Sequence, residues 1–533
     1  MWTENEKSGI VRESHFGREV FVFSERPANV MEMLESSAVR FPDREALVMG
    51  ERRLTYRQMR ELVENIAGHL YHRYQVRKGE RVALLLGNGV EFALLFFACA
   101  RIGAIAVPLN TRLNSKEITF MLNQSGSSIL FTDDEFAYLV QNAHTSVPSL
   151  RARFILGGER EGFLPYEPLE SPAVSPPETM VREEDPLYIM YTSGTTGLPK
   201  GAVGSHLGAI HSVMCYHRIF RTTEADRSLN AVPLFHVTGL IGQLLHMVYV
   251  GGTNVLMRRF KAERFIRLLS EEKITFTFNV PTIYVMMMSH PSFREYSYPS
   301  LRILAYGGAP MSTHTIEQLR REFPGVQLHN AYGATETTSP TTVMPIGCQE
   351  KKPASVGYPI PVVEIKIVNE RGETCKPGEV GELWIKGPNV VSGYWENEEA
   401  NRKSFHGEYW CSGDLAMMDE EGFVYIMDRL KDMINRGGEK VFSVEVENVL
   451  YQHPKVLEAA VVGIPDPVFG EVVKAVIVPK QETTVTAEEI KQFVRENLAD
   501  YKVPAVVEFC SELPRNPGGK VLKNLLRESQ RQA

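Results

Sequence analysis

At 533 residues, with 43% hydrophobic and 23% charged residues, the chain is long enough for more than one core and is neither disordered nor fibrous in composition. A formal net charge of -7 is small for this size, and the basic residues are scattered, which speaks against a nucleic-acid partner. Six cysteines, Cys99, Cys215, Cys348, Cys375, Cys411 and Cys510, stand far apart without a CxxC pair, so they read as reduced thiols of a cytoplasmic protein and exclude a zinc spacing.

The N-terminal residues alternate charge and polarity and lack the apolar run of a signal peptide. Val30, Leu34, Ala38 and Phe41 recur at helical spacing and stop at Pro42, which predicts a helix over 29–41, followed by a strand over 46–49. Thr55 with Gln58 forms a capping box for a second helix whose apolar face is Met59, Leu62, Val63, Ile66 and Leu70. From Arg81 the pattern is strand (82–86), turn, helix (90–100), strand (104–110), then a helix from Ser115 to Gly126 and a strand over 129–131. The most apolar stretch, 92–109, is broken by Arg101, Gly103 and Pro108 and suits a buried helix and strand better than a membrane span. A peripheral membrane contact stays open.

This alternation predicts an α/β fold: a large N-terminal domain of parallel-type sheets with helices. Residues 169–178 are rich in proline and serine and read as a surface connector. After Ser355, short strands in VVEIKIV, GELWIKG and FVYIM suggest a β-rich subdomain. Beyond it a small α+β domain is expected: a helix over 444–450, strands over 457–462 and 472–478, and a helix opened by a Thr486/Glu489 capping box. The boundary is placed at 428/429, giving domains 1–428 and 429–533.

The string YTSGTTGLPKG at 191–201 places hydroxyls and glycines in succession and closes them with a lysine. Glycines let the backbone approach a ligand closely, consecutive N–H groups form an anion nest, and hydroxyls add donors, so the loop is suited to phosphate. A solvated Ser/Thr/Gly loop is the bland alternative. The G-x-x-x-x-G-K-[ST] spacing of nucleotide triphosphatases is absent, which disfavours a kinase or GTPase. Further along come PLFHVTGL (233–240), FNVPTIY (278–284), ILAYGGAP (303–310) and NAYGATETT (330–338). Several have the form of an apolar strand followed by small or polar residues, where α/β sheets place ligand loops.

Taken together and in order, YTSGTTGLPKG, the pair Phe235-His236, YGGAP, NAYGATE, the CSGD turn, DRLKDMI with GGEK, and PRNPGGK resemble the adenylate-forming superfamily over residues 25–525, and within it the acyl-CoA synthetase branch. The resemblance implies ATP, Mg²⁺ and CoA as co-substrates and a carboxylic acid as the group activated. It puts phosphates on Thr192, Ser193, Gly194, Thr195, Thr196, Gly197 and Lys200, and Mg²⁺, a hard oxygen-seeking cation, on Glu336 and Thr192. Gly307, Gly308, Ala309 and Tyr332 would hold the adenine, Gly333 and Thr335 would also bind the nucleotide, Asp414 would take the ribose hydroxyls, and Arg429 would add donors to the ribose and phosphate region.

Lys520 would bridge the carboxylate and the α-phosphate in the first half-reaction, as a catalytic residue beside Glu336 and His236. Lys431 would be the hinge of a mobile lid, Gly437, Gly438 and Lys440 would line a pantetheine tunnel, and His236 would gate its inner end. Walls for the acyl group fall on Val237, Thr238, Gly239, Tyr306, Ala331 and Ala334, with no fixed charge among them. An apolar monocarboxylate, either a medium- to long-chain fatty acid or an aryl acid, is therefore expected. A stand-alone adenylation enzyme loading a carrier-protein thiol is the alternative, and an inactive nucleotide-binding regulatory protein is the alternative of another class. A homodimer also stays open.

Overall fold

Strands Arg81–Leu85, Ile105–Pro108, Ile129–Asp133 and Ala152–Leu156 pair in parallel at the centre of a seven-stranded sheet. The computed structural model describes residues 2–192, 199–480, 483–515 and 521–528. Helix Val90–Ile102 connects the first two of these strands, and eleven of its 13 residues are buried. Between Glu91 in its first turn and Arg101 in its last the helix is apolar on every face and has none to give to water, so it lies in the core, and Gly103 in the left-handed region (φ 69) ends it. At one edge Pro186–Thr192 pairs in parallel with Ile105–Pro108 and antiparallel with Lys200–Ser205. Thr192 and Lys200 are direct register partners, so the two ends of the phosphate-loop string face each other.

A nine-stranded sheet carries the other motifs. Its central strands, Arg227–Asn230, Phe276–Asn279, Ile303–Gly307 and Gln327–Tyr332, are parallel. The register Asn279↔Tyr306↔Asn330 and Gly307↔Ala331 aligns their carboxyl ends, so the segments after them open on one edge of the sheet. The 233–240 string departs from the strand-then-loop form. Pro233 to His236 is a turn closed by His236 N–H donating to the Pro233 carbonyl (3.1 Å), and Val237–Gly239 opens a helix that widens into a π-helix at Leu240–Leu245. Buried Gln243 accounts for part of this: it accepts from Ser228 Oγ (3.1 Å) and donates to the Phe278 carbonyl (2.9 Å), tying the widened turns to the sheet.

The β-rich region is a five-stranded antiparallel sheet that includes Glu364–Val368, Val380–Lys386, Tyr409–Met418 and Val424–Arg429. The C-terminal α+β region has its own apolar cluster, with Ile434, Val446, Leu450, Val461, Ile477, Ile490 and Val494 buried. Thr55 and Gln58 complete both arms of their capping box. At Thr486 only one arm forms, because the Glu489 carboxylate turns to Lys455 Nζ (2.9 Å). The fold is thus a large N-terminal α/β domain with a β-rich annex and a small α+β domain behind it.

Candidate functional site

Asp414 and Arg429 are directly opposed in the antiparallel pair Tyr409–Met418/Val424–Arg429. That register puts Arg429 Nε 3.3 Å from Asp414 Oδ1, while the Tyr332 hydroxyl, arriving from the end of Gln327–Tyr332, donates to Asp414 Oδ2 at 2.6 Å. Oδ2 therefore has a fixed donor and Oδ1 a guanidinium beside it, and both keep lone pairs for more. Burial, followed by the Asp414 charge, drives the Tyr332 hydroxyl well above its usual pKa, so it stays a donor. Two distant motifs thus meet on one buried acid.

Glu336 lies in the short 3-10 turn Thr335–Thr337, 8% exposed. Its Oε1 accepts from the Thr192 hydroxyl (3.2 Å) and from the Tyr394 hydroxyl (3.0 Å), and among the described residues Oε2 has no donor. A carboxylate with one restrained oxygen, beside a hydroxyl, is a donor set that suits a hard cation such as Mg²⁺. Lys200 Nζ stands 5.2 Å from the centre of the Tyr394 ring. Segment 393–395 is laced to Lys200–Ser205 by Val203 N–H donating to the Gly393 carbonyl (3.0 Å) and Trp395 N–H to the Gly201 carbonyl (2.7 Å).

The backbone here is strained. Thr338 (φ 48) and Ser339 (φ 95) both have positive φ, costly for residues with a Cβ and rare in succession. Gly333 is needed opposite them, since a Cβ there would come 1.5 Å from the Ser339 carbonyl oxygen. Gly307 is required by the sheet itself, where a Cβ would meet the Ala331 carbonyl at 2.2 Å. Gly308 and Ala309 follow it at the accessible strand end.

Val237, Gly239 and Ala331 are buried, and Thr238 and Ala334 are partly buried. Val237, Ala331 and Phe278 share one apolar cluster with Ala334 packed against it, whereas Tyr306 lies in another, with Ile283, Tyr284 and Leu304. Alternation along Ile303–Gly307 explains the split: Ala305 and Gly307 face one way and Tyr306 the other. The His236 ring lies 4.9 Å from that of Phe235, and its Nε2 is inaccessible and has no partner among the described residues. Burial pushes its pKa down to about 4, so the imidazole is neutral near pH 7.

Lys431 is exposed beside buried Asp432. Gly437 (φ 60) and Gly438 (φ 97) form the two-residue turn of the hairpin Ile434–Arg436/Glu439–Val441, where both central residues must reach positive φ. Lys440 next to them pairs with Glu370 (2.9 Å). Ser193, Gly194, Thr195, Thr196, Gly197 and Lys520 lie outside the described residues. Sequence reasoning missed Tyr394; a tyrosine and a tryptophan just after Gly393, in an otherwise polar stretch, were the only signal. It also gave no role to the cluster Glu13, His15 and Glu183, whose carboxylates are taken by Arg26 at 2.6 and 2.7 Å, an ion-pair knot in place of a metal site.

The family description "AMP-binding enzyme" matches residues 34–395, and "AMP-binding enzyme C-terminal domain" matches 445–520. The oxalate–CoA ligase of Arabidopsis thaliana is 34% identical over 502 residues, covering 93% of this chain and 97% of its own. A feruloyl-CoA synthase of Amycolatopsis is 36% identical over 488 residues, covering 91% and 96%. The solved anthranilate CoA ligase AuaEII, in complex with anthranoyl-AMP, superposes with a TM-score of 0.89 at 30% identity, covering 94% of this chain and 98% of the other. The chain belongs to the AMP-binding enzyme family, the adenylate-forming enzymes. Within it the protein is an AMP-forming acid–CoA ligase, with ATP, Mg²⁺ and CoA as co-substrates and a carboxylic acid as the group activated.

Proposed function

We propose that the acid is an apolar monocarboxylate, an aryl acid or a medium- to long-chain fatty acid. What supports this is composition and packing: the segments assigned to the acyl pocket, 237–240, 278–284, 306–308 and 331–334, contain no charged side chain, and of their residues Val237, Phe278 and Ala331 share one buried apolar cluster while Tyr306, Ile283 and Tyr284 belong to another. A second carboxylate on the substrate would find no cation among them, and burying it unpaired is costly.

In this reading residues 1–428 bind ATP and the acid, and residues 429–533 form a lid that turns about Lys431. Asp414 takes the ribose hydroxyls beside Arg429, Lys200 and its loop hold the terminal phosphates, and Glu336 with Thr192 holds Mg²⁺, which supplies charge neutralisation at the phosphates. An oxygen of the acid attacks the α-phosphorus and pyrophosphate leaves. Lys520 neutralises both anions as they meet, an electrostatic role that only a closed lid provides. The lid then turns, the CoA thiol attacks the acyl carbonyl past neutral His236, and AMP departs.

A panel from acetate through palmitate, with benzoate, coumarate and the dicarboxylates oxalate and succinate, tests the reading by following AMP and thioester. CoA-dependent AMP release with one apolar class supports it. Preference for oxalate or another dicarboxylate overturns the apolar pocket, and acyl-AMP that CoA does not consume transfers the acceptor role to a carrier-protein thiol. Lys520→Ala should slow adenylation by about 10²–10³-fold while thioester synthesis from supplied acyl-AMP continues.

A further inference from the structure

Gly242, in the widened turns Leu240–Leu245, and Gly307, at the end of Ile303–Gly307, leave room that one side chain takes. A Cβ on Gly242 would stand 3.0 Å from Cδ1 and Cε1 of Phe278, and one on Gly307 3.3 Å from Cε2, on the other edge of the same ring. Phe278 is 2% exposed. Its neighbours on this face of the sheet are small: Ala305 is its register partner on the next strand, and Gly307 on that strand is paired in turn with Ala331.

Behind the ring the space is full. Phe276 and Phe278 alternate onto one face of Phe276–Asn279, and Tyr216 and Phe220 from helix His206–Phe220 meet them there with His246 from helix His246–Val250. Tyr216 stands edge-on to Phe278 with ring centres 5.8 Å apart, and it stacks on Phe220 at 5.2 Å and on His246 at 5.8 Å. His246 and Phe220 reach Phe276 at 5.5 and 5.7 Å. All five rings are at most 2% exposed. The Tyr216 hydroxyl is hydrogen-bonded to Ser339 Oγ (2.8 Å), which fixes the ring behind Phe278. Beside the column, Gln243 bolts the widened turns to two strands, since its Nε2 donates to the Phe278 carbonyl (2.9 Å) and to Asn230 Oδ1 (3.3 Å). Protein interiors pack as densely as organic crystals, so a run of methylenes cannot pass between these helices and the sheet without displacing a ring.

We propose that Phe278 determines the specificity of the acid site: it closes the inner end, and the acid taken is an aryl acid laid against it, not a medium- to long-chain fatty acid. This rests on the apolar pocket proposed above and narrows its substrate class. A flat ring uses the width that Ala305, Gly307 and Ala331 leave, and it gains an aromatic pairing with Phe278 besides the area it buries. An alkyl chain needs depth, which the column of rings occupies, and it must also order its rotors on binding.

The test compares pyrophosphate release by the wild-type, Phe278→Ala and Phe278→Leu proteins on benzoate, coumarate, octanoate and palmitate, with succinate as the dicarboxylate. Ratios of kcat/KM between acids are the readout, because any general loss of active protein cancels in them. The wild type should favour benzoate or coumarate over octanoate and palmitate by at least about 100-fold. Phe278→Ala opens the inner end and should move the octanoate-to-benzoate ratio at least about tenfold toward octanoate, and Phe278→Leu should move it the same way by about threefold or more. If the alanine protein does not fold because of the cavity it leaves, the leucine protein, closer in volume, decides. A wild type that turns over octanoate or palmitate as well as the aryl acids, or a ratio that neither substitution moves, overturns the proposal and leaves the apolar pocket standing. A wild-type preference for succinate overturns the apolar pocket itself, and the role of Phe278 falls with it.

Discussion

Lowering the pH from 7.5 to 5.5 should bring the protein close to unfolding, and four histidines set the scale. His206, His211, His246 and His329 are each 0% exposed, and burial pushes their pKa values down, to about 4 for three of them and about 3 for His246. Their bonds suit neutral rings. His206 Nδ1 accepts from Val30 N–H and His211 Nε2 from Phe23 N–H, both at 3.1 Å, while His329 Nδ1 donates to the Met344 carbonyl at 2.7 Å. Each folded-state pKa lies below the unfolded value of about 6.5, so between the two the unfolded chain binds more protons and stability drops as the pH is lowered. At pH 5.5 the loss is about 1.4 kcal/mol per histidine, about 7 kcal/mol for these four together with His236, against a total stability of about 5–15 kcal/mol. Urea unfolding across pH 5–8 measures it, and His211→Gln, which keeps an acceptor without a titrating ring, should recover about 1.4 kcal/mol of the loss at pH 5.5. A stability flat down to pH 5.5, or one lost only below about pH 4.5 where carboxylates titrate, would refute the reasoning.

Asp414→Ala removes the acceptor held by Tyr332 and Arg429 and should raise the KM for ATP by about 10–100-fold; an unchanged KM in steady-state kinetics would place the ribose elsewhere. Tyr394→Phe frees one side of Glu336 and should raise the free Mg²⁺ needed for half-maximal activity by about tenfold or more, read from activity against free Mg²⁺. Gly333→Ala forces a carbon against the Ser339 carbonyl and should cost about 3 kcal/mol or more, seen as a fall in Tm. Lys431→Pro should spare pyrophosphate release and block thioester formation, so equal damage to both would move the hinge.

The strands and helices were legible where apolar spacing and end signals agreed, as in Val30–Arg40 before Pro42 or Ser115–Ser125 before Gly126. At Thr486 the capping residue was right but its partner was not, because Lys455 from another strand competes for Glu489. The Leu240–Leu245 widening was unreadable, since its cause, Gln243 bonded to Phe278 and Ser228, is a contact across the sheet. Asp414, Arg429 and Tyr332 came from motif strings, and the register of two strands explains why those strings belong together. Tyr306 shows the opposite: nearness in sequence to Gly307 says nothing about which face of the strand a side chain occupies.

The successive left-handed residues Thr338 and Ser339, two and three positions after Glu336, make this turn an attractive place to engineer and a poor one. Replacing Thr338 with asparagine or glycine would relax a backbone that resists its own side chain, and a screen for heat resistance should select such changes early. The same relaxation lets the acidic side chain drift from the threonine and tyrosine hydroxyls that aim it. Variants of this turn should therefore trade endurance for turnover, and a library sorted on both would show the two properties moving in opposite directions at one codon.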